Sequence, residues 1–129
     1  MSGGRIFISE DRQTLAMLIN KGESELFCGG KPMKSLIANT TDAAQEKHVP
    51  VVEVEGNKIT IKVGSVPHPM TPEHLIAWIY LQTKNGGHYR HLTPNDKPEA
   101  VFILTEDDTP IAAYEYCNLH GLWKSDIKN

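Results

Sequence analysis

The sequence predicts a mainly β protein organised as an antiparallel β-sandwich. Three observations carry that prediction. Residues 51–55 (VVEVE) and 58–63 (KITIKV) flank Gly56-Asn57, and Ile59, Ile61 and Val63 alternate with Thr60 and Lys62, the pattern of a β-hairpin with a primed turn. Leu75–Thr83, Ala100–Thr105 and Ile111–Cys117 are short runs rich in β-branched and aromatic residues, which favour strands over helices. Turn signals at Asn85-Gly86-Gly87 and Asp107–Pro110 separate them at regular intervals.

Taken in chain order, the N-terminal stretch reads two ways. Ser9 suits the cap of a helix over residues 10–20, with Leu15, Leu18 and Ile19 on one face and Gly22 as the stop. The alternative is a set of short strands. Composition shifts softly near residues 36–45, from a Gly-spotted stretch to strand-like runs. After the 51–63 hairpin comes SVPHPMTPEH (65–74), whose three prolines exclude a helix interior and a central strand, leaving a stiff loop. Leu75–Thr83 is apolar on both faces, as a buried strand would be, and is expected to end at Asn85-Gly86-Gly87. Residues 88–92 suit a further short strand. Ile111–Cys117 reads as the last strand, running into Asn118–Lys124. Trp78 and Trp123 are expected in the core, and Met33 and Met70 as gap-fillers.

The chain has 129 residues, the size of one ordinary domain or a smaller one with an appendage. Its net charge of −3 argues against a nucleic-acid surface. No apolar run approaches the ~20 residues of a membrane span. MSGGRIFISEDRQ lacks the apolar stretch of a secretion signal, so the cytoplasm is the expected compartment. Two cysteines, Cys28 and Cys117, make no disulfide framework.

The candidate donors are the six histidines, His48, His68, His74, His88, His91 and His120, together with Cys117. Singly, each loop histidine is most simply a solvated side chain, and His88 and His91 in GGHYRH look like an exposed turn. Together, several imidazoles and a soft thiolate select iron, copper or zinc over magnesium or calcium. Structural zinc takes four ligands in compact pairs, which are missing here. Four histidines and one cysteine give one donor too many for that, and suit a metal with five or six positions and one left open. A thiolate also pushes electron density onto its metal.

EKHVPVVE (46–53), KVGSVPHPMTPEHLIAWI (62–79) and EYCNLHGLWK (115–124) closely resemble the superoxide reductase (desulfoferrodoxin/neelaredoxin) family. The resemblance implies an immunoglobulin-like β-sandwich over residues 37–129. It also implies one mononuclear non-haem iron, Fe2+ or Fe3+, held by His48, His68, His74, Cys117 and His120. ELFCGGKPMKSL (25–36) is similar to the end of the family's small desulforedoxin-like domain, so residues 1–36 correspond to that domain, and the resemblance implies short strands over 5–36 in place of the helix. Ser9, Arg12 and Gly29 stand where three of its four cysteines would be, and Cys28 where the fourth would be. One thiolate cannot hold an Fe–S4 site, so this domain is expected to bind no iron.

The implied activity is one-electron reduction of superoxide to hydrogen peroxide. Glu46 and Lys47 match the family's catalytic pair. Lys47 would attract the anion and order a water for protonation, and Glu46 would ligate oxidised iron or help displace product. A rubredoxin-like electron donor and a homodimer are further expectations. The competing reading is a non-catalytic metal-binding or electron-transfer sandwich. It is disfavoured because a purely structural site does not require Glu46 and Lys47.

Overall fold

The computed structural model describes residues 5–128. The chain divides into two compact units, Met1–Ile37 and Ala38–Asn129. Among the described residues, no helix is long and apolar enough to cross a membrane.

In the first unit, β1 (Ile6–Ile8) lies between β2 (Leu15–Met17) and β5 (Lys34–Ser35) in a three-stranded antiparallel sheet. β3 (Phe27–Cys28) and β4 (Lys31–Pro32) pair across Gly29 and Gly30, which both take positive φ. The helix over residues 10–20 does not form. Ser9 caps no helix. Its buried hydroxyl donates to Asp11 Oδ1 at 2.6 Å and accepts from the Thr14 amide at 3.0 Å. These bonds close a tight loop, with Arg12 at φ 64°, that returns the chain to pair with β1. Local hydrogen bonds to a short hydroxyl side chain outcompeted helix formation.

The second unit is the predicted sandwich. A short helical turn, α1 (Gln45–His48), precedes β6 (Pro50–Glu55) and β7 (Lys58–Val63). One sheet has the order β10 (Glu99–Ile103), β7, β6. The other has the order β12 (Gly121–Asp126), β11 (Pro110–Cys117), β8 (Ile76–Thr83), β9 (Gly86–His91). All pairings are antiparallel. The period-2 alternation of β7 buries Ile59, Ile61 and Val63 completely against Ile79, Leu81, Ala100, Phe102 and Ala113. Each large side chain so buried contributes about 2 kcal/mol of transfer free energy. At the β6–β7 turn Gly56 takes φ 61° while Asn57 does not take positive φ, the II′ pattern of primed turn.

Two strand boundaries differ from expectation. Gly86 and Gly87 do not end β8; they begin β9, opposite Thr83 and Gln82, and the turn is Lys84-Asn85. Gly87 is there because the Tyr80 ring occupies the space a Cβ would need. The chain also does not finish at Cys117. Residues 118–120 turn and β12 pairs along all of β11 but its first two residues, from Ala112↔Asp126 to Cys117↔Gly121. Trp78 and Trp123 are buried as expected, and Met70 packs against the core.

Candidate metal centre

Three separated segments deliver the five predicted donors to one place at an end of the sandwich. His48 is the last residue of α1. His68 and His74 stand in the proline-rich stretch between β7 and β8. Cys117 ends β11, and His120 sits in the turn before β12. Their ligand atoms all lie within 4.8 Å of one another. Among the described residues they form the one such group of His, Cys, Asp and Glu. His88 and His91 are in β9, outside this group.

The four imidazoles close a circuit, each roughly perpendicular to the next. His48–His68, His68–His74, His74–His120 and His120–His48 have ring centroids 4.7, 4.6, 5.2 and 4.8 Å apart at 74°, 81°, 74° and 85°. The backbone fixes which nitrogens face inward. His48 Nδ1 is 2.7 Å from the Ala44 carbonyl and His68 Nδ1 is 2.7 Å from the Pro69 carbonyl. A carbonyl only accepts, so each Nδ1 carries the hydrogen and each neutral Nε2 presents a lone pair. Those two Nε2 atoms face each other at 3.2 Å. His120 Nδ1 is 3.2 Å from His48 Nε2, and Cys117 Sγ is 3.5 Å from His68 Nε2 and 3.8 Å from His120 Nδ1. His74 Nε2 is buried with no hydrogen-bond partner.

Converging lone pairs repel unless a cation sits among them. Nitrogens about 2.1 Å from a shared metal and at right angles would be about 3 Å apart, which the observed spacing matches. The donor set therefore fits a metal with mixed imidazole and thiolate preference.

Burial keeps the rings neutral. It lowers the pKa of His68 to about 4, against the opposing hydrogen bond to Pro69, and it lowers those of His48 and His74 as well. Burial also pushes the Cys117 thiol up, while the backbone N–H groups of Leu119 and His120, bonded to the sulfur, pull it down. Glu46 and Lys47 project from α1 as exposed side chains beside buried His48. The Lys47 charge reaches both His48 and His74.

Supporting residues complete the site, and several escaped the sequence reading. Trp123 stacks on His48 at 5.0 Å and donates from Nε1 to the His120 carbonyl at 3.1 Å. Asn118 ties two ligand loops together: its Oδ1 accepts from the Leu75 amide at 3.0 Å and its Nδ2 donates to the Glu73 carbonyl at 2.9 Å. Gly64, at φ 80°, lies so close to the Glu46-Lys47 backbone that a Cβ would sit 2.6 Å from the Glu46 carbonyl oxygen and 2.8 Å from the Lys47 carbonyl carbon. Glu115 is fully buried, and neither carboxyl oxygen has a partner, so burial raises its pKa well above the usual range. The signal for Glu115 was present, as a carboxylate at an inward position of an apolar strand.

The Desulfoferrodoxin family model matches residues 40–126, which include all five donors. The chain belongs to the desulfoferrodoxin family. A desulfoferrodoxin from Clostridium acetobutylicum is 48% identical over 122 residues, covering 95% of each chain. One from Syntrophotalea carbinolica is 51% identical over 109 residues, 84% of this chain and 85% of that one. Among solved structures, the superoxide reductase from Treponema pallidum superimposes with a TM-score of 0.79 at 44% identity, covering 94% of this chain and 98% of that one. The chain thus shares its fold with that structure over 94% of its length.

Proposed function

We propose that this chain is a superoxide reductase that converts superoxide, one electron and two protons into hydrogen peroxide at one mononuclear iron. The observation that carries the reading is the closed circuit of four imidazoles with a single cysteine sulfur, their ligand atoms all within 4.8 Å of one another. Iron bound there supplies the electron and a coordination position for the anion.

The protein's own groups do the rest. His48, His68, His74, His120 and Cys117 are the ligands. The Nδ1 tethers to Ala44 and Pro69 hold two rings against rotation, so the donor geometry is set before metal arrives. Two backbone N–H groups on the Cys117 sulfur favour its anionic form and draw charge from it, which tunes the metal's potential. Lys47 draws a small anion toward the site in a chain whose net charge of −3 would otherwise repel it, and holds a water that delivers a proton. Glu46, its neighbour on the same turn, would offer a carboxylate oxygen to bound iron and so aid product departure.

The first unit serves as an iron-free scaffold. Its Ser9 is already engaged with Asp11 and Thr14, and Cys28 is its only cysteine. A rubredoxin-like carrier returns the electron, and the working form is a homodimer. The test is anaerobic mixing of the ferrous protein with radiolytic superoxide. The expected result is one superoxide consumed per iron, with hydrogen peroxide formed and no dioxygen released. Dioxygen release, or no reaction by a protein with one iron per chain, overturns the proposal.

A further inference from the structure

One large side chain beside the metal centre is neither a donor nor part of the apolar core. Trp123 is 1% exposed, yet it is not among the residues of the cluster between the sheets. Its cross-strand partner Glu115 alternates in phase with Ala113 and Cys117, which do belong to that cluster, so the indole stands on the same side of the sheet as the sulfur. There it touches two ligands that lie 72 residues apart in the chain, His48 and His120. Its ring lies 5.0 Å from the His48 ring at an interplanar angle of 24°, whereas the His68 and His120 rings meet His48 edge-on at 74° and 85°. Its Nε1–H donates to the His120 carbonyl at 3.1 Å. Carbonyls hold the Nδ1 atoms of His48 and His68, but the Nδ1 of His120 faces the site, so the hold on this ligand is on its backbone. A leucine would fill much of the same space; an electron-rich ring with an N–H makes both contacts.

We propose that Trp123 is a positioning residue that acts through His48 to hold the reduction potential of the centre down, and through the His120 backbone to retain the metal. This deepens the reading of the site as an iron centre and rests on it. An imidazole bound to ferric iron gives up more electron density than one bound to ferrous iron, so its ring is the more positive in the oxidised protein. A positive group over the face of an aromatic ring is stabilised by the ring quadrupole, and indole is the strongest such face among the side chains. His48 and Trp123 are both buried, so water does little to screen the contact. The stacked indole therefore favours the ferric form. The electron exchanged belongs to iron, and the indole is neither oxidised nor reduced. A lower potential makes the ferrous centre the stronger reductant, which is the direction that electron transfer to superoxide requires.

The test is a redox titration of the iron-loaded full chain, followed at the thiolate-to-iron absorption, with Trp123 replaced by tryptophans carrying one, two and three ring fluorines. The chain has two tryptophans, so a Trp78→Phe background leaves Trp123 as the labelled ring. Fluorine drains the ring face stepwise while keeping its shape and its N–H, so a role in packing alone moves nothing. The midpoint potential is expected to rise with each fluorine. With three, the ferrous-to-ferric ratio at a fixed poise should grow about threefold, which is about 30 mV. A potential that stays level or falls across the series overturns the proposal. Should Trp78→Phe fail to fold, the same series on the unsubstituted chain serves, because Trp78 pairs with Tyr116 and faces the other side of the sheet. Trp123→Phe keeps a weaker ring face and loses the N–H. It is expected to raise the potential less than Trp123→Leu does, and to release iron to a chelator about fivefold faster than the wild type. Release at the wild-type rate overturns the hold on His120. A wild-type iron protein that consumes no superoxide would instead refute the enzymatic reading and leave the potential series readable, so the two failures are distinguishable.

Discussion

His68 shows how a single residue is made into a ligand. Its ring is 3% exposed, its Nδ1 is committed to a carbonyl of the next residue, and burial holds it neutral near physiological pH. Its Nε2 is left facing His48 Nε2 at 3.2 Å and Cys117 Sγ at 3.5 Å, a lone pair among other donors. Cys117 is equally constrained, at zero exposure with two backbone N–H groups on its sulfur. Cys117→Ser is expected to abolish the thiolate-to-iron charge-transfer colour in protein that still binds iron; an optical spectrum with iron quantified per chain checks this. Lys47 differs because its side chain is exposed. Lys47→Ala should leave iron content unchanged and slow the bimolecular reaction with superoxide by roughly tenfold, the usual scale of electrostatic steering. The variant should also lose the wild-type dependence of that rate on ionic strength, measured by pulse radiolysis across a salt series.

The elements that carry the ligands are fixed by contacts between loops. The α1 turn is held from outside by the segment after β7: the Val66 amide donates to the Glu46 carbonyl at 2.9 Å, and the Gly64 amide to the Val49 carbonyl at 3.1 Å. Gly64→Ala places a Cβ against that backbone and forces a left-handed φ on a residue with a side chain. It should cost about 1–3 kcal/mol and displace Glu46 and Lys47 together. Denaturant melts and the superoxide rate of the iron-loaded variant check both effects. Asn118→Ala removes two of the hydrogen bonds that join the His74 loop to the Cys117–His120 turn and leaves the backbone bond from the Asn118 amide to the Leu75 carbonyl. The expected loss is about 1–3 kcal/mol with weakened iron retention, read by melts and by competition with a chelator. The β6–β7 hairpin was legible in the sequence because alternation and a Gly-Asn turn are both local. β12 was not. GLWKSD carries no clean alternation, and it becomes a strand because β11 offers a complete unpaired edge beside it. Gly86-Gly87 misled for a related reason. A glycine pair reads as a turn, but here Gly87 is required inside a strand by the cross-strand ring of Tyr80.

At the scale of the whole molecule, the sandwich pays for gathering four imidazoles in a dry place, and the metal-free chain should reveal that cost. In the unfolded chain His68 takes up a proton as the pH falls through about 6.5, whereas the folded protein resists protonation until about 4. A depressed imidazole pKa means stability is intact above the unfolded value and is lost between the two. Thermal melts of apoprotein should therefore show the melting temperature falling from pH 7 to pH 4, with His48 and His74 adding to the slope in the same direction. Bound metal should oppose the fall wherever it remains bound, since a lone pair on iron is unavailable to a proton.

The amino-acid sequence alone determined the strand-rich class, the hairpin and the stiff proline loop, because periodicity and turn chemistry are properties of neighbouring positions, while the five donors were named through the resemblance of their motifs to the superoxide reductase family. Only the tertiary structure decided that His48, His68, His74, His120 and Cys117 meet. They lie up to 72 residues apart, and their meeting depends on how β11 pairs with β8 and β12 and on where Gly64 and Asn118 anchor the loops. It also decided which nitrogen of each tethered ring faces inward, because that choice belongs to a backbone carbonyl that no pattern of side chains encodes.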